Sequence, residues 1–386
     1  MKEENRRYAE EAFEIVEHAA KKIGSRLPGS DGEKEYAAYM GDKLRSIGIE
    51  PVREEFAVSP RASIGGIPYA GYLGLIMSAL VYVALHLSAV WYGMALASVV
   101  CWVWLILSVF LYKTWFDMFF KQEISQNTYG ELLPPDGKYD YTIILSGHTD
   151  TSWCWRHSAH ASKFKKTKPA MGLVATFAKV GFGVICFLFL TAVSIAMTVI
   201  SSGVYFGEVW ALKIANSASF ANFLFAMHFL PVVTAIGCMF VVMWADPNPR
   251  NASRGAMDNA TGCALSFAVT KYFHDHPEKM PKNCRIIDFN CGSEEAGLRG
   301  SIAFTREHKG EPILENTWNI NIDSVADKDF FEVVIKDDWQ FCRFDTDLEK
   351  MFKDTFNELG IVSKTNGCIH NPVGGCDSTP MTKAGM

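Results

Sequence analysis

The spacing of apolar residues at the start of the chain is typical of a soluble α/β protein. Residues 6–23 repeat apolar side chains at helical intervals, which predicts a first helix. A capping-box sequence beginning at Ser30 predicts a second helix that ends near Gly48. Residues 50–57 are predicted to form a strand. Up to this point the pattern indicates an ordinary folded domain.

Three long apolar blocks then interrupt that pattern, at residues 69–112, 171–200 and 220–244. A membrane crossing takes about 20 residues, so the first block is long enough for two helices and each of the others for one. Buried helices of a large soluble protein are the alternative, but each block is longer than a typical core helix. The composition agrees, because 49% of residues are apolar and only 20% are charged. We therefore predict about four transmembrane helices in two pairs.

The chain divides into five segments, in which pieces of one soluble domain alternate with membrane insertions: 1–68, 69–112, 113–170, 171–245 and 246–386. Each insertion holds an even number of predicted spans, so the soluble pieces share one side of the membrane. Basic residues cluster beside the second insertion, at Arg156, Lys163, Lys165, Lys166, Lys168, Arg250 and Arg254. By the positive-inside rule this predicts an integral membrane protein whose soluble domain faces the cytoplasm. The same basic cluster could also contact anionic lipid headgroups, and the alternative is a solvated loop that only follows this rule.

The last segment alternates predicted strands with predicted helices. Strands are expected at 284–291, 316–323 and 330–336, and helices at 258–273, 298–308 and 346–359. This alternation predicts an α/β domain with a mostly parallel central sheet and helices on both faces, a three-layer α/β/α arrangement. Ligands of such sheets bind beyond the carboxyl ends of the strands.

Two adjacent carboxylates, Glu294 and Glu295, follow the predicted strand 284–291. Two carboxylates are costly to hold together unless a positive charge compensates them, and a metal ion is the usual solution, with one Glu as ligand and the other as proton carrier. The alternative is a solvent-exposed acidic turn before a helix, whose amino terminus favours negative charge.

Other side chains that commonly bind metal ions also lie at the ends of predicted strands or the start of a predicted helix. His148 and Asp150 close the strand 141–146, and Asp323 ends another strand. Asp258 opens a helix and is either a bridging metal ligand or a simple N-cap. A structural His–Asp pair and a turn residue are the alternatives for the others. The ordered set is far more specific than any one member.

Taken together, these residues resemble the co-catalytic dizinc aminopeptidases of metallopeptidase family twenty-eight. The resemblance covers residues 6–58, 123–152 and 246–386 and includes the Arg26–Ser30 turn, the Ser125–Tyr129 strand and Gly374–Asp377. The resemblance implies the zinc-exopeptidase fold and two zinc ions. It also implies a role for each candidate: His148 and Asp323 as ligands of one zinc, Asp258 as bridge, Glu295 as ligand of the second, Glu294 as general base and Asp150 as support for His148.

The chain departs from that family at its fifth ligand, a His in a late Tyr-His-Thr-type motif. The sequence stops at Met386 before such a motif, so we expect this ligand to lie beyond the printed sequence. His370 is the only late His and an alternative candidate, although it precedes the glycine pair instead of following it. Two zinc ions are expected with the complete ligand set, and one with the ligands present here.

The expected function is a membrane-anchored zinc exopeptidase of the aminopeptidase type, acting on peptides through a metal-activated water. Its alternatives are a single-zinc aminoacyl transferase like the glutaminyl cyclases, and a catalytically inactive binding domain of the same fold.

The net charge of −5 indicates no nucleic-acid partner. The ten cysteines form no CxxC pair, which favours a reducing compartment over a disulfide framework. Lipid contacts follow from the predicted spans, and the oligomeric state is left open.

Overall fold

A computed structural model describes residues 3–154, 156–157, 169–244, 253–326, 331–361, 368–371 and 374–386. The chain divides into two compact units. The first, called here the soluble unit, comprises Met1–Ile64, Ser108–Trp153 and Asn248–Met386. The second, the apolar unit, comprises Gly65–Leu107 and Cys154–Pro247.

The soluble unit contains helices and strands close to the predicted ones. Its described helices are α1 (Glu3–His18), α2 (Asp31–Ser46), α9 (Thr261–Asp275), α10 (Arg299–Glu307), α11 (Thr346–Glu358) and α12 (Ser378–Lys383). Its described strands are β1 (Val52–Val58), β2 (Glu123–Leu132), β3 (Tyr141–His148), β4 (Cys284–Cys291), β5 (Thr317–Asn321), β6 (Val333–Asp337), β7 (Cys342–Arg343) and β8 (Cys368–Asn371). Strand β4 has the predicted bounds because eight consecutive residues are buried there.

The main sheet is mixed, which corrects the prediction of a mostly parallel sheet. Its five strands run in the order β1-β2-β4-β3-β5. Strand β2 is antiparallel to both β1 and β4, whereas β3 is parallel to both β4 and β5. The parallel half is the half that alternates with helices along the chain. Strands β1 and β2 are separated by an apolar insertion, so sequence alternation does not report their direction.

Helices cover both faces of this sheet. On one face α1, α2 and α9 share a core that includes Ile15, Tyr36 and Phe267. Helix α9 is also tied to β3, because Ser266 Oγ donates to the Leu145 carbonyl over 2.8 Å. On the other face the ring of Phe304 in α10 lies 4.6 Å from that of Phe289. The helices on the two faces explain why β4 is buried on both sides.

A smaller second sheet contains β6, β7 and β8, with β6 in the centre. Strand β6 is antiparallel to β7 and parallel to β8. The predicted strand at 330–336 is therefore found at Val333–Asp337, but it belongs to this second sheet and not to the main one.

The apolar unit contains α3 (Ile67–Ala84), α4 (Ala89–Trp104), α5 (Pro169–Tyr205), α6 (Val209–Ala215), α7 (Ala218–Ala226) and α8 (Leu230–Val242). Among the described residues, three helical segments are long and apolar enough to cross a membrane: Ile64–Ala84, Ala89–Phe110 and Phe177–Tyr205. The pair α7 and α8 passes the same test jointly but is bent by 47°. It makes a fourth span only if the two helices act as one.

The basic residues used to predict orientation are mostly outside the described part of the chain. Lys163, Lys165, Lys166, Lys168 and Arg250 all fall there. Arg156 and Arg254 are described. The cytoplasmic orientation therefore stays a prediction.

Candidate metal centre

The candidate site lies at the carboxyl ends of the three parallel strands. His148 is the last residue of β3 and pairs with Cys291, the last residue of β4. Asp323 follows the end of β5 by two residues, and Glu294 follows the end of β4 by three. Because β3 is parallel to both neighbours, their carboxyl ends meet at one edge of the sheet. The sequence therefore delivers these side chains to the same place.

Three of the predicted ligands form one compact group. Ligand atoms of His148, Asp258 and Asp323 all lie within 4.8 Å of one another. The Nε2 atom of His148 is 3.0 Å from Asp258 Oδ1 and 3.8 Å from Asp323 Oδ2. The same nitrogen is 4.0 Å from Glu294 Oε2. His148 is thus surrounded by carboxylates on its free side.

Asp258 reaches this group from an irregular turn and not from a regular helix. Its backbone angles, φ −116° and ψ 93°, are non-helical, and the peptide bond to Asn259 is cis. The residue before α9 is Ala260, which makes no side-chain cap. Asp258 is therefore not the N-cap of α9, and its carboxylate contacts His148 instead. This corrects the prediction of a helix beginning at residue 258.

Asp150 positions both His148 and the loop after β4. Its Oδ1 atom lies 3.2 Å from His148 Nδ1, as predicted for a residue that orients the ring. It also accepts the backbone N–H of Glu294 over 3.0 Å and, through Oδ2, that of Glu295 over 2.9 Å. One fully buried carboxylate thus fixes a ligand candidate and the general-base candidate relative to each other. Because its contacts are to the His148 ring and to backbone amides of the Glu294 loop, Asp150 is a positioning residue.

The loop that carries the two glutamates is held from its other end by Glu33. Ser293 has a left-handed backbone, with φ 55°, which non-glycine residues adopt rarely. Glu33 Oε1 accepts both its backbone N–H, over 2.6 Å, and its hydroxyl, over 2.9 Å. Burial raises the pKa of Glu33 to about 8. Only one half of the predicted capping box is present: the Ser30 side chain accepts from the Glu33 N–H, whereas the Glu33 carboxylate binds the Ser293 loop instead of the Ser30 N–H.

Burial shifts the pKa of both adjacent glutamates upward. Burial raises the pKa of Glu294 well above its usual range; His148 opposes this and Glu295 adds to it. Burial, followed by the charge of Asp258, raises the pKa of Glu295 in the same direction. The Glu294 side chain keeps 13% of its surface exposed, so it remains accessible from solvent. A carboxyl group with these properties suits proton transfer.

The group of three fits a zinc ion by donor type and by spacing. Imidazole nitrogen and carboxylate oxygen are ordinary zinc ligands, and four ligands at 2.0–2.2 Å lie about 3.3–3.6 Å apart. The 3.0 and 3.8 Å separations around His148 Nε2 lie on either side of that range. Asp323 Oδ1 is buried without a hydrogen-bond partner, which is costly unless a cation satisfies it. The structure thus presents a suitable donor set and an unsatisfied acceptor in it.

Two other candidates lie outside this group. Glu295 is buried beside Asp258, but its carboxylate is not among the three mutually close ligand atoms. His370, considered as a substitute ligand, lies in β8 and pairs through Nδ1 with Asp338 at 3.3 Å. Among the described residues, the predicted ligands that remain for a second zinc ion are therefore Asp258 and Glu295.

Two residues that sequence reasoning did not single out as site residues hold the Asp258 turn in place. Arg26 is fully buried and donates to the carbonyls of Thr149, Arg254 and Gly255, each over 2.8 Å. Asn259 Nδ2 donates to the Ile322 carbonyl over 3.0 Å, joining the turn to the loop of Asp323. Arg26 belongs to a turn noted as a family landmark, whereas the position of Asn259 beside Asp258 was the only signal for it.

Comparison with known proteins agrees with the chemistry of this site. A sequence profile described as Peptidase family M28 matches residues 239–385, which include Asp258, Glu294, Glu295 and Asp323. A search of curated proteins gave no match.

Solved structures that are similar to this chain include a zinc aminopeptidase from Bacillus subtilis, at 12% identity, 98% of this chain, 83% of the other and a TM-score of 0.49. A leucine aminopeptidase precursor from Bacteroides thetaiotaomicron is 12% identical, with 97% of this chain and 81% of the other covered and a TM-score of 0.46. A glutaminyl cyclase of the same organism is 11% identical, with 97% of this chain and 80% of the other covered and a TM-score of 0.47. The profile match shows that residues 239–385 are similar to peptidase family M28.

Proposed function

We propose that this protein is a membrane-anchored, zinc-dependent exopeptidase of the aminopeptidase type. The proposal is carried by one observation, the convergence of His148, Asp258 and Asp323 within 4.8 Å beside the Glu294 carboxylate. These residues come from four segments of the chain that the fold brings to one edge of the sheet. A zinc ion held there supplies a bound water of lowered pKa and polarises a carbonyl oxygen.

The protein's own residues contribute proton transfer and positioning. Glu294 accepts a proton from the attacking water and returns it to the leaving amine, a role that suits a carboxyl group whose pKa burial has raised. The Oδ1 atom of Asp150 contacts both the Glu294 backbone N–H and the His148 ring, and so fixes them relative to each other. Glu295 and Asp258 are the carboxylates available to a second ion.

The test of this proposal separates metal binding from catalysis. The full chain is purified with zinc, and hydrolysis is measured on a dipeptide with a free amino terminus and on its N-acetylated form. Aminopeptidase action predicts cleavage of the free dipeptide alone. The variant Glu294→Gln should keep its zinc, measured by mass spectrometry, and lose about 10²–10⁴-fold in kcat. Glu307→Gln, an exposed residue of α10, is the matched control and should keep both.

Three outcomes would overturn parts of this proposal. Peptidase activity retained in Glu294→Gln would remove that residue from the general-base role. Release of pyroglutamyl peptide from an N-terminal glutaminyl substrate, without hydrolysis of the dipeptide, would assign the alternative cyclase chemistry. Zinc binding with neither reaction would assign an inactive binding domain.

The membrane part of the proposal is supported by the connectivity of the main sheet. Strands β1 and β2 pair although Ile64–Ala84 and Ala89–Phe110 lie between them, so two crossings return the chain to the same side. Strands β3 and β4 also pair although Phe177–Tyr205 lies between them. One crossing would leave β4 on the wrong side. We therefore infer that the bent pair α7 and α8 completes the return as the fourth span.

The anchoring and its orientation are tested separately from the chemistry. A membrane-embedded chain should stay in the pellet after alkaline carbonate extraction. A cytoplasmic soluble unit should be cleaved by protease in inside-out vesicles and protected in right-side-out vesicles. The opposite protease result would show that the soluble unit faces the other side of the membrane. Release by carbonate would refute the proposal that the chain is anchored in the membrane.

A further inference from the structure

A cationic cavity lies in the soluble unit, apart from the candidate metal centre. It is open, has a volume of about 640 Å³ and is bordered by Lys113, Arg306, Lys309 and Lys383. None of the predicted metal-site residues borders it. We refer to it as the cationic cavity.

The four cations converge from three separate parts of the chain. Arg306 lies in the last turn of α10, Lys309 follows that helix, and Lys383 ends α12. Lys113 comes from the segment that follows α4. Convergence from distant segments distinguishes this cluster from a run of neighbouring lysines on one solvated face.

The charges of the cavity are only weakly compensated by protein carboxylates. Two glutamates, Glu311 and Glu315, also border it, which gives four positive and two negative side chains in a protein whose net charge is −5. Glu311 is already occupied by His308, whose Nδ1 lies 2.6 Å from its Oε2. Lys113, Arg306 and Lys309 form no salt bridge with any other described residue, so their charge is available to an anionic ligand.

The cavity also has an apolar rim next to the end of a candidate membrane span. Leu111, which borders the cavity, directly follows the apolar helical segment Ala89–Phe110. Trp115, another border residue, is 66% exposed, and Met118 and Phe119 beside it are about as exposed. Exposed aromatic residues close to the end of a span are typical of the membrane–water interface.

We propose that the cationic cavity binds the phosphate headgroup of an anionic membrane phospholipid, with its acyl chains leaving along the exposed aromatic residues. Cations beside a span attract anionic headgroups, and the apolar rim distinguishes a lipid from a free phosphate ion. The inference rests on the membrane placement proposed above and adds a specific ligand to it. It makes no use of the metal centre.

The experiment uses the full chain purified in a neutral detergent and short-chain lipids that do not need a bilayer. Isothermal titration calorimetry compares dihexanoyl phosphatidylglycerol, dihexanoyl phosphatidylcholine and inorganic phosphate. We expect saturable binding of phosphatidylglycerol, none of phosphatidylcholine, and no displacement of the lipid by an equal concentration of phosphate. Displacement by phosphate would overturn the lipid assignment, and equal binding of the two lipids would overturn the role of charge.

A pair of charge-matched variants tests the location. The double variant R306E/K309E should weaken phosphatidylglycerol binding at least about 25-fold, since each basic side chain near the surface contributes about fivefold. The control K22E/K282E makes the same change of four charges at exposed residues outside the cavity and should bind as wild type. Equal weakening in both variants, or none in R306E/K309E, would overturn the site.

Failure of this inference can be distinguished from failure of the proposed function. A chain that stays in the membrane after carbonate extraction but does not prefer phosphatidylglycerol would refute the cavity alone. A chain that binds phosphatidylglycerol but is released by carbonate would refute the anchor alone. The zinc content of R306E/K309E should equal that of wild type, because both residues are exposed and neither belongs to the ligand group.

Discussion

Replacement of Glu33 should loosen the loop that carries Glu294. Glu33 is fully buried and accepts four hydrogen bonds, two on each oxygen. Oε1 accepts the backbone N–H and hydroxyl of Ser293, and Oε2 accepts the Gly29 N–H over 2.6 Å and the Ser125 hydroxyl over 3.0 Å. Above pH 8, where Glu33 is ionised, the variant Glu33→Gln preserves the shape of the side chain but replaces one acceptor oxygen with a donor.

The size of the effect follows from the two backbone donors. A hydroxyl can turn and accept from the introduced amide, whereas a backbone N–H can only donate. Whichever way that amide points, it leaves the N–H of either Ser293 or Gly29 without an acceptor, at a cost of about 1–3 kcal/mol. Glu33→Ala leaves both without one, at about 2–6 kcal/mol by the same reasoning. The alanine variant should therefore be the more damaged of the two.

Hydrogen exchange read by mass spectrometry measures this effect locally. A loss of about 1–3 kcal/mol corresponds to exchange about 5–150-fold faster in the peptide spanning residues 291–297, provided that opening is local. Glu35→Gln, an exposed residue of the same helix, is the matched control and should exchange as wild type. Unchanged exchange of that peptide in both Glu33 variants would refute the reasoning, as would equal acceleration in the control.

Three further predictions concern other parts of the soluble unit. Asp323→Asn removes one carboxylate from the ligand group and should weaken zinc binding at least about 100-fold in competition with a chelator; unchanged affinity would exclude this residue as a ligand. Gly262→Ala places a Cβ against a backbone carbonyl of the loop after β5 and should lower the free energy of unfolding by about 1–3 kcal/mol in urea; no loss would mean that the loop yields freely. Burial lowers the pKa of His308, but hydrogen bonds to Glu54 and Glu311 outweigh it and raise that pKa above 6.5. The stability lost in His308→Gln should therefore be greatest below pH 6.5 and vanish as pH rises through the raised pKa, and a pH-independent loss in urea unfolding would contradict this.

The parallel strands and their carboxyl ends were predictable because their signals are local. Strand β4 is a continuous buried run, and the acidic pair follows it directly, so periodicity alone places Glu294 at the edge of a sheet. The same argument places His148 after β3 and Asp323 after β5. A side chain that follows a parallel strand can be assigned to the carboxyl-terminal edge of the sheet without any information on distant contacts.

Other features depend on contacts that no local pattern reports. The backbone at Asp258 departs from a helix because the turn is held by Arg26 and Asn259, whose partners lie on other segments. The antiparallel half of the sheet was missed because an insertion separates β1 from β2. The second task of Asp150, fixing two backbone amides of the Glu294 loop, becomes visible only once β3 and β4 lie side by side.

The place of β4 in the main sheet sets an order for biosynthesis. This strand is the centre of the five, between β2 and β3, yet it is translated after all the helices of the apolar unit. Until residue 291 leaves the ribosome, β2 and β3 each present an unpaired edge, which in a finished protein is a route to aggregation. Under the proposed membrane placement, the helices of the apolar unit therefore leave the ribosome before the soluble unit can close, and the nascent chain needs protection of those edges during the interval.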